Sequence, residues 1–245
     1  MIYKELNKFN HIVFKDDDHT YKLNEKQLTS VTTFIGKFKK PFEKEFWSYK
    51  KAEQEGVTQQ DILDKWDEIA LYATNKGSKL HNFAENYINN KIIDNVIYEP
   101  LDIDAYDTIE SHFLKFYEDT KDTLIPITSE LVVGSEELGL CGMVDQLYFS
   151  TKLDALVIFD WKTNKRLTKK SRFQNKMLGP CAHLDECEMS TYSLQLSTYR
   201  YIIEHETNLK FHSTFIVWFN ERNKSYELVP CEDYRNLVKE MLNYN

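Results

Sequence analysis

The feature that most constrains this chain is the apolar run Ala155-Leu156-Val157-Ile158-Phe159, which ends in Asp160-Trp161-Lys162. Such a run has no polar face to offer water, so it reads as a central strand covered on both sides. Side chains alternate along a strand, which puts Asp160 and Lys162 on one face and Trp161 on the other. Charges at the end of a buried strand are costly unless something satisfies them. Two solutions stand open: an Asp160–Lys162 ion pair, or a divalent cation held by Asp160 and a carboxylate from a neighbouring strand. Asp145, in Gly142-Met143-Val144-Asp145 upstream, can supply that second carboxylate. Oxygen ligands of this kind suit Mg²⁺ or Mn²⁺, with Lys162 placed to hold or help deprotonate a bound water.

Around that strand the pattern predicts an α/β protein with a mixed central sheet flanked by helices. His11–Phe14 and Tyr21–Leu23 read as a hairpin about the turn-forming cluster Asp16-Asp17-Asp18, which lacks the glycine and glutamate of a calcium loop. Residues 43–90 read as helical, broken near Gly56-Val57 and again near Gly77, with Thr58 and Asp61 as a capping pair. A further helix is expected over Asp104–Asp119, with Ile109, Phe113 and Phe116 at helical spacing. Strands are expected at Ile127–Val133, Gly142–Phe149, Ala155–Lys162, His212–Phe219 and Ser225–Val229, and helices at Ser190–Glu206 and Glu232–Leu242. The connection over 166–189 is long for a compact domain, a length often tied to function.

With 245 residues and no linker or repeat, one domain is expected: a hairpin and helical part over 1–120 carrying His81, and a sheet core over 121–245. The 15 Phe, 15 Tyr and 4 Trp supply ample apolar area for its core. Net charge is −8, which excludes a general polyanion binder and requires any nucleic-acid contact to be local. No secretory or membrane segment is evident, so a cytoplasmic protein with four reduced cysteines is expected, in the host cytoplasm if phage-encoded.

Two more places carry chemistry. His81 and Glu85 are four apart on an expected helix and share a face, so the imidazole can be a metal ligand with Glu85 orienting it. Such a histidine is also at home as a satisfied polar residue. Gln195 and Tyr199 are likewise four apart, placed either to pack helix on sheet or to hold the catalytic strand and touch a phosphate.

His81, Gly142-x-x-Asp145, Asp160-x-Lys162 and Gln195-x-x-x-Tyr199, in this order, resemble the motif set of the RecB-like branch of the PD-(D/E)xK nuclease superfamily. Each motif alone is common; four in sequence over residues 77–200 are specific. Leu28–Thr33 and Met177–Pro180 are similar to phage-encoded members. Val144 stands where the superfamily name has proline, a departure this branch tolerates.

The resemblance implies a restriction-endonuclease-like core and a metal-dependent deoxyribonuclease, an exonuclease acting on DNA ends or single strands. It also implies Mg²⁺ or Mn²⁺ bound by His81, Asp145, Asp160 and the Trp161 carbonyl, with Glu130 as an additional acid. Lys162 would be the catalytic lysine, and Gln195 and Tyr199 would complete the catalytic set. Relatives with an iron–sulfur cluster carry a cysteine triplet behind the Gln-Tyr helix. Here only Cys231 lies there, so no cluster is expected, and Cys181, His183 and Cys187 lack the fourth ligand of a zinc site.

DNA contact is expected from Lys165, Arg166, Lys169, Lys170 and Arg172, a basic run without an acid directly after the catalytic strand. Lys37–Lys51 interleaves cations with Phe38, Phe42, Phe46 and Trp47, a pattern suited to stacking on unpaired bases or to core packing. Packing is the expectation for Phe42 and Phe46. The alternative to an enzyme is a catalytically inactive nucleic-acid-binding or interaction protein that retains the fold.

Overall fold

A computed structural model describes residues 1–15, 20–24, 26–93 and 108–244. The elements are α1 (Ile2–Leu6), β1 (Val13–Lys15), β2 (Thr20–Leu23), β3 (Lys26–Ser30), α2 (Val31–Gly36), α3 (Lys44–Glu55), α4 (Gln59–Ile93) and α5 (Thr108–Thr120). There follow β4 (Leu124–Ser135), β5 (Leu140–Ser150), β6 (Ala155–Lys162), α6 (Glu188–Glu206), β7 (Phe211–Trp218), β8 (Glu227–Pro230) and α7 (Arg235–Leu242). The Asp16–Asp18 turn and the first residues of the helix expected from Asp104 lie outside the described residues.

The fold is α/β, with a mixed sheet between helical layers. Strands run in the order β1-β2-β3-β5-β6-β7-β8, and β4 lies on the other edge of β5. Pairs β4–β5, β5–β6 and β7–β8 are antiparallel, whereas β3–β5 and β6–β7 are parallel. The N-terminal hairpin thus belongs to the main sheet, joined to it through β3.

The alternation along β6 divides its side chains between two cores. Leu156 and Ile158 enter a layer with Phe34 and Ile35 of α2, Leu194, Tyr199 and Ile203 of α6, and Met241 of α7. Val157, Phe159 and Trp161 enter the opposite layer with Leu80, Ala84 and Ile88 of α4 and Phe113 and Phe116 of α5. At about 1.5–3 kcal/mol for each large apolar side chain fully buried, a strand serving both layers is a strong local anchor in the sheet. Pro126 sits in β4 at a register shift, on a strand that pairs only with β5, where a missing amide is tolerated.

Two helical expectations need correction. The break at Gly56 is present: its φ of 69° ends α3 in the left-handed conformation. No second break occurs at Gly77, and α4 runs on for 35 residues. A mid-helix glycine costs only about 1 kcal/mol relative to alanine. That cost is outweighed where Leu80, Ala84, Tyr87 and Ile88 bury one face of the helix beyond it. At the other end, Asp61 Oδ2 accepts from the Thr58 amide and hydroxyl at 2.9 and 2.6 Å.

The second correction concerns the aromatics. Phe38 is buried, but Phe42 is 67% and Phe46 50% exposed, so neither has the packing role expected of it. The reason is that α3 buries only Ser48 and Ala52, leaving the larger residues outside. No helix among the described residues is long and apolar enough to cross a membrane.

Candidate metal centre

The centre lies where β5 changes neighbours. One edge of β5 is covered by β4 from Leu140 to Ser150. Its other edge pairs with β6 at Gln146–Ser150 and with β3 only at Leu140 and Cys141. Gly142–Asp145 therefore has no ladder partner on that edge, and side chains take over. Asp145 Oδ2 accepts a hydrogen bond from the Trp161 amide at 2.7 Å, continuing the β5–β6 contact by other means.

From the opposite edge comes Glu130. Ser129 pairs with Gln146 and Leu131 with Val144, so Glu130 stands across from Asp145. Its φ of 46° puts a non-glycine residue in the left-handed region, where strain of about 1–3 kcal/mol is held by the surroundings. His81 of α4 completes the group. Its Nδ1 is 3.4 Å from Glu130 Oε1, and its Nε2 is 3.7 Å from Asp145 Oδ2 and 3.3 Å from the Trp161 carbonyl oxygen. Ligand atoms of His81, Glu130 and Asp145 all lie within 4.8 Å of one another. An octahedral ion with bonds of about 2.1 Å sets adjacent ligands about 3.0 Å and opposite ones about 4.2 Å apart, so three groups gathered within 4.8 Å stand near that spacing and would close slightly on a small divalent cation.

Asp160 and Lys162 point the same way, as the alternation requires, and form an ion pair through Asp160 Oδ2. Asp160 is not one of the three clustered groups. Lys162 Nζ also sits 4.9 Å from the centre of the Tyr192 ring, a cation–π contact. Glu85 needs correction: it accepts from Asn89 Nδ2 at 3.5 Å, while His81 Nδ1 faces Glu130. The i,i+4 face on the helix was right, but a strand from across the sheet reaches the imidazole instead.

The electrostatics are those of an acid-rich pocket. Burial alone would depress His81, but Asp145 and Glu130 outweigh it and raise the imidazole to about 9. Asp145 is raised by burial and by Glu130, against His81, Lys162 and the Trp161 amide. Asp160 is raised by burial and by Asp145, against Lys162. Burial disfavours the Lys162 ammonium, yet the two aspartates more than compensate and its pKa rises. Three carboxylates thus share two cationic side chains, and a divalent cation would relieve their mutual repulsion.

Gln195 and Tyr199 meet the strand from the other layer. Gln195 Nε2 donates to the Tyr199 hydroxyl at 2.9 Å. A Cβ on Gly142 would lie 2.4 Å from Tyr199 Cε1, so the ring lies where only glycine permits it. This contact explains the glycine of the Gly142-x-x-Asp145 motif and seats α6 on the unpaired stretch of β5. Tyr192 was missed in the sequence, although its spacing to Gln195 and Tyr199 puts all three on one helical face.

A cleft of about 810 Å³ opens over the centre. Ile69, Tyr72 and Lys76 of α4 form one wall, Lys162 lies within it, and Asn220 and Arg222 stand opposite. The basic run leaves from its rim. Asn220 Nδ2 donates to the carbonyls of Asn164 and Lys165 at 3.2 and 2.9 Å, and Thr168 and Ser171 tie the loop to Glu188 and Asp185. Lys165, Arg166, Lys169, Lys170 and Arg172 are exposed, and among the described residues none is in an ion pair.

Compared with protein-family models and with curated protein sequences, the chain matches none.

Proposed function

We propose that this protein is a metal-dependent nuclease that hydrolyses DNA phosphodiester bonds, built on a restriction-endonuclease-like core. What carries the reading is the gathering of His81, Glu130 and Asp145 with the Trp161 carbonyl nearby, beside a cleft that His81 and Lys162 of the Asp160–Lys162 pair line. His81, Glu130, Asp145 and the Trp161 carbonyl would hold Mg²⁺ or Mn²⁺, with Asp160 at the edge of the set. When bound, such a cation polarises the scissile phosphate and lowers the pKa of a water.

The chain's own residues do the rest. Lys162 presents an ammonium to the attacking water and to the charge that builds on the phosphate, steadied by Asp160 and the Tyr192 ring. Tyr199 and Gln195 fix the β5 segment that carries Asp145, so the carboxylate does not drift from the Trp161 amide. The unpaired cations of 165–172 offer contacts to the phosphate backbone.

The test is incubation with end-labelled linear and covalently closed circular DNA, single- and double-stranded, with Mg²⁺, Mn²⁺ or EDTA. Cleavage with the cations and none with EDTA is expected, and linear DNA is the favoured substrate of an exonuclease. Cleavage unaffected by Asp145→Asn or Lys162→Ala would defeat the assignment. The tie between Asp160 and Lys162 favours a second reading, an inactive nucleic-acid-binding protein with a self-neutralised strand end. Calorimetry finding no Mn²⁺ binding would select it.

A further inference from the structure

Apart from the catalytic cleft, the helical hairpin of α3 and α4 faces the loop after β6 across an aromatic cavity of about 460 Å³. Phe42, Trp47, Trp66 and Phe173 line it, with Lys50 and Lys51 at its margin. Three of these rings are open to water: Phe173 is 80%, Phe42 67% and Trp47 50% exposed. Phe42 and Trp66 have their ring centres 5.8 Å apart and tilted by 54°, leaving faces uncovered. Exposed aromatics from two separate segments, residues 42–47 and 173, gathered with half-buried Trp66 around one cavity are a costly surface without an occupant.

The cavity is not isolated. Phe42 and Phe173 also line a second hollow of about 450 Å³ that contains Arg172 and reaches Tyr192. Tyr192 in turn lines the catalytic cleft and carries Lys162 on its ring. Aromatic pocket, Arg172 and Lys162 therefore adjoin along one track, on which Lys39 faces Glu186 and Glu188 in the second hollow. Stacking faces beside a strip of unneutralised cations match one chemistry in particular: unpaired bases on a phosphate backbone. A duplex would present its phosphates to the same strip but keep its bases stacked on each other.

We propose that this cavity is a stacking subsite for unpaired bases of a single-stranded DNA segment, whose phosphates follow the loop from Arg172 towards Lys162. The direction of that strand rests on the nuclease reading above; the stacking itself does not. Polar residues hold the loop in place for this role, since Thr168, Ser171 and Asn175 bond within it or to α6 while the cations face outward.

The experiment compares binding of a fluorescent oligodeoxythymidylate of about 15 nucleotides, within the usual range of single-strand site sizes, with binding of a blunt duplex of equal length. Wild type, Phe173→Ala and Trp47→Ala are measured in EDTA, and both positions are exposed enough for the variants to fold. Each variant is expected to bind the oligonucleotide about tenfold more weakly, with duplex affinity unchanged. Intrinsic tryptophan fluorescence of the wild type should be quenched by the oligonucleotide and less so in Trp47→Ala. Unaltered oligonucleotide affinity, or an equal loss on both substrates, overturns the subsite. So does a concentration-dependent dimer that Phe173→Ala abolishes, which would give the face to a second copy of this chain. A parallel Mn²⁺ assay on the blunt duplex separates the two readings. Cleavage with aromatic-independent binding sinks the subsite alone, whereas aromatic-dependent binding without cleavage sinks the nuclease alone.

Discussion

Glu204, half-buried, and Asp145, buried, are both carboxylates taken from water, and the protein treats them in opposite ways. Burial pushes Glu204 up, but the Phe211 amide at 3.0 Å, Arg200 Nε at 3.0 Å and Arg235 Nη1 at 2.5 Å together hold its pKa below the ordinary value. Each of its lone pairs that matters has a donor, and two guanidinium groups balance Glu204 and Asp233. At Asp145 burial is deeper and wins. The Trp161 amide, the shared imidazolium and Lys162 do not offset burial and the neighbouring Glu130, and the pKa goes up. The Glu204 network is complete as it stands and serves stability. The Asp145 cluster carries unrelieved negative charge, the condition that a cation would remedy and that functional sites tend to store.

Breaking the Asp145 side should cost activity rather than fold. Lys162→Ala and Asp145→Asn should each lower cleavage at least about a thousandfold, the scale of several kcal/mol of transition-state stabilisation, with circular dichroism and midpoint of melting little changed. Breaking the Glu204 side should do the reverse. Glu204→Ala removes the acceptor of the Phe211 amide and leaves Arg200 and Arg235 with Asp233 alone, and should lower stability by about 1.5 kcal/mol in urea titration, while the folded variant still cleaves.

Adding Mn²⁺ sharpens the contrast. At about a hundredfold over its dissociation constant it should stabilise wild type by about 2.7 kcal/mol, and Glu204→Ala by the same increment. Asp145→Asn should lose most of that gain, read as the shift in melting temperature. In the absence of metal, Asp160→Asn removes one of three crowded acids but also the partner of Lys162, so its mark is the loss of the stability that wild type gains as pH falls through the raised folded value of Asp160.

The smallest effect is in pH. Glu204 has a folded pKa below its ordinary 4.5, so the stability it contributes is present above that value and lost as pH falls through the folded one. Glu204→Gln should therefore flatten the acid limb of the stability curve below about pH 4.5. The aspartates of the centre act with the opposite sign. Their folded values are raised, so their ionised forms cost stability at neutral pH and protonation relieves it as pH falls towards the unfolded value of 3.8. On acidification from neutral pH, metal-free Asp160→Asn should lose stability relative to wild type, whereas Glu204→Gln should gain relative to it.

What the sequence determined by itself was local. Ala155–Lys162 was legible as a two-sided strand because an unbroken apolar run has one low-cost environment, and β6 has those bounds. The same-face placement of Asp160 and Lys162 followed from strand period, and the stop at Gly56 from the freedom of a residue without a Cβ. His81, Asp145 and Glu130 could be named as acids and an imidazole of interest, but not as neighbours. Their meeting depends on the β4–β5 register, a left-handed residue at Glu130, and the angle at which a 35-residue helix crosses the sheet. The same holds for Tyr199 on Gly142, for Glu130 rather than Glu85 facing His81, and for Phe42 left in water rather than packed. Period and burial cost act between residues a few positions apart and leave a pattern in the string. Contacts between residues separated by tens of positions are set by how strands pair and layers pack, and only the tertiary structure decides them.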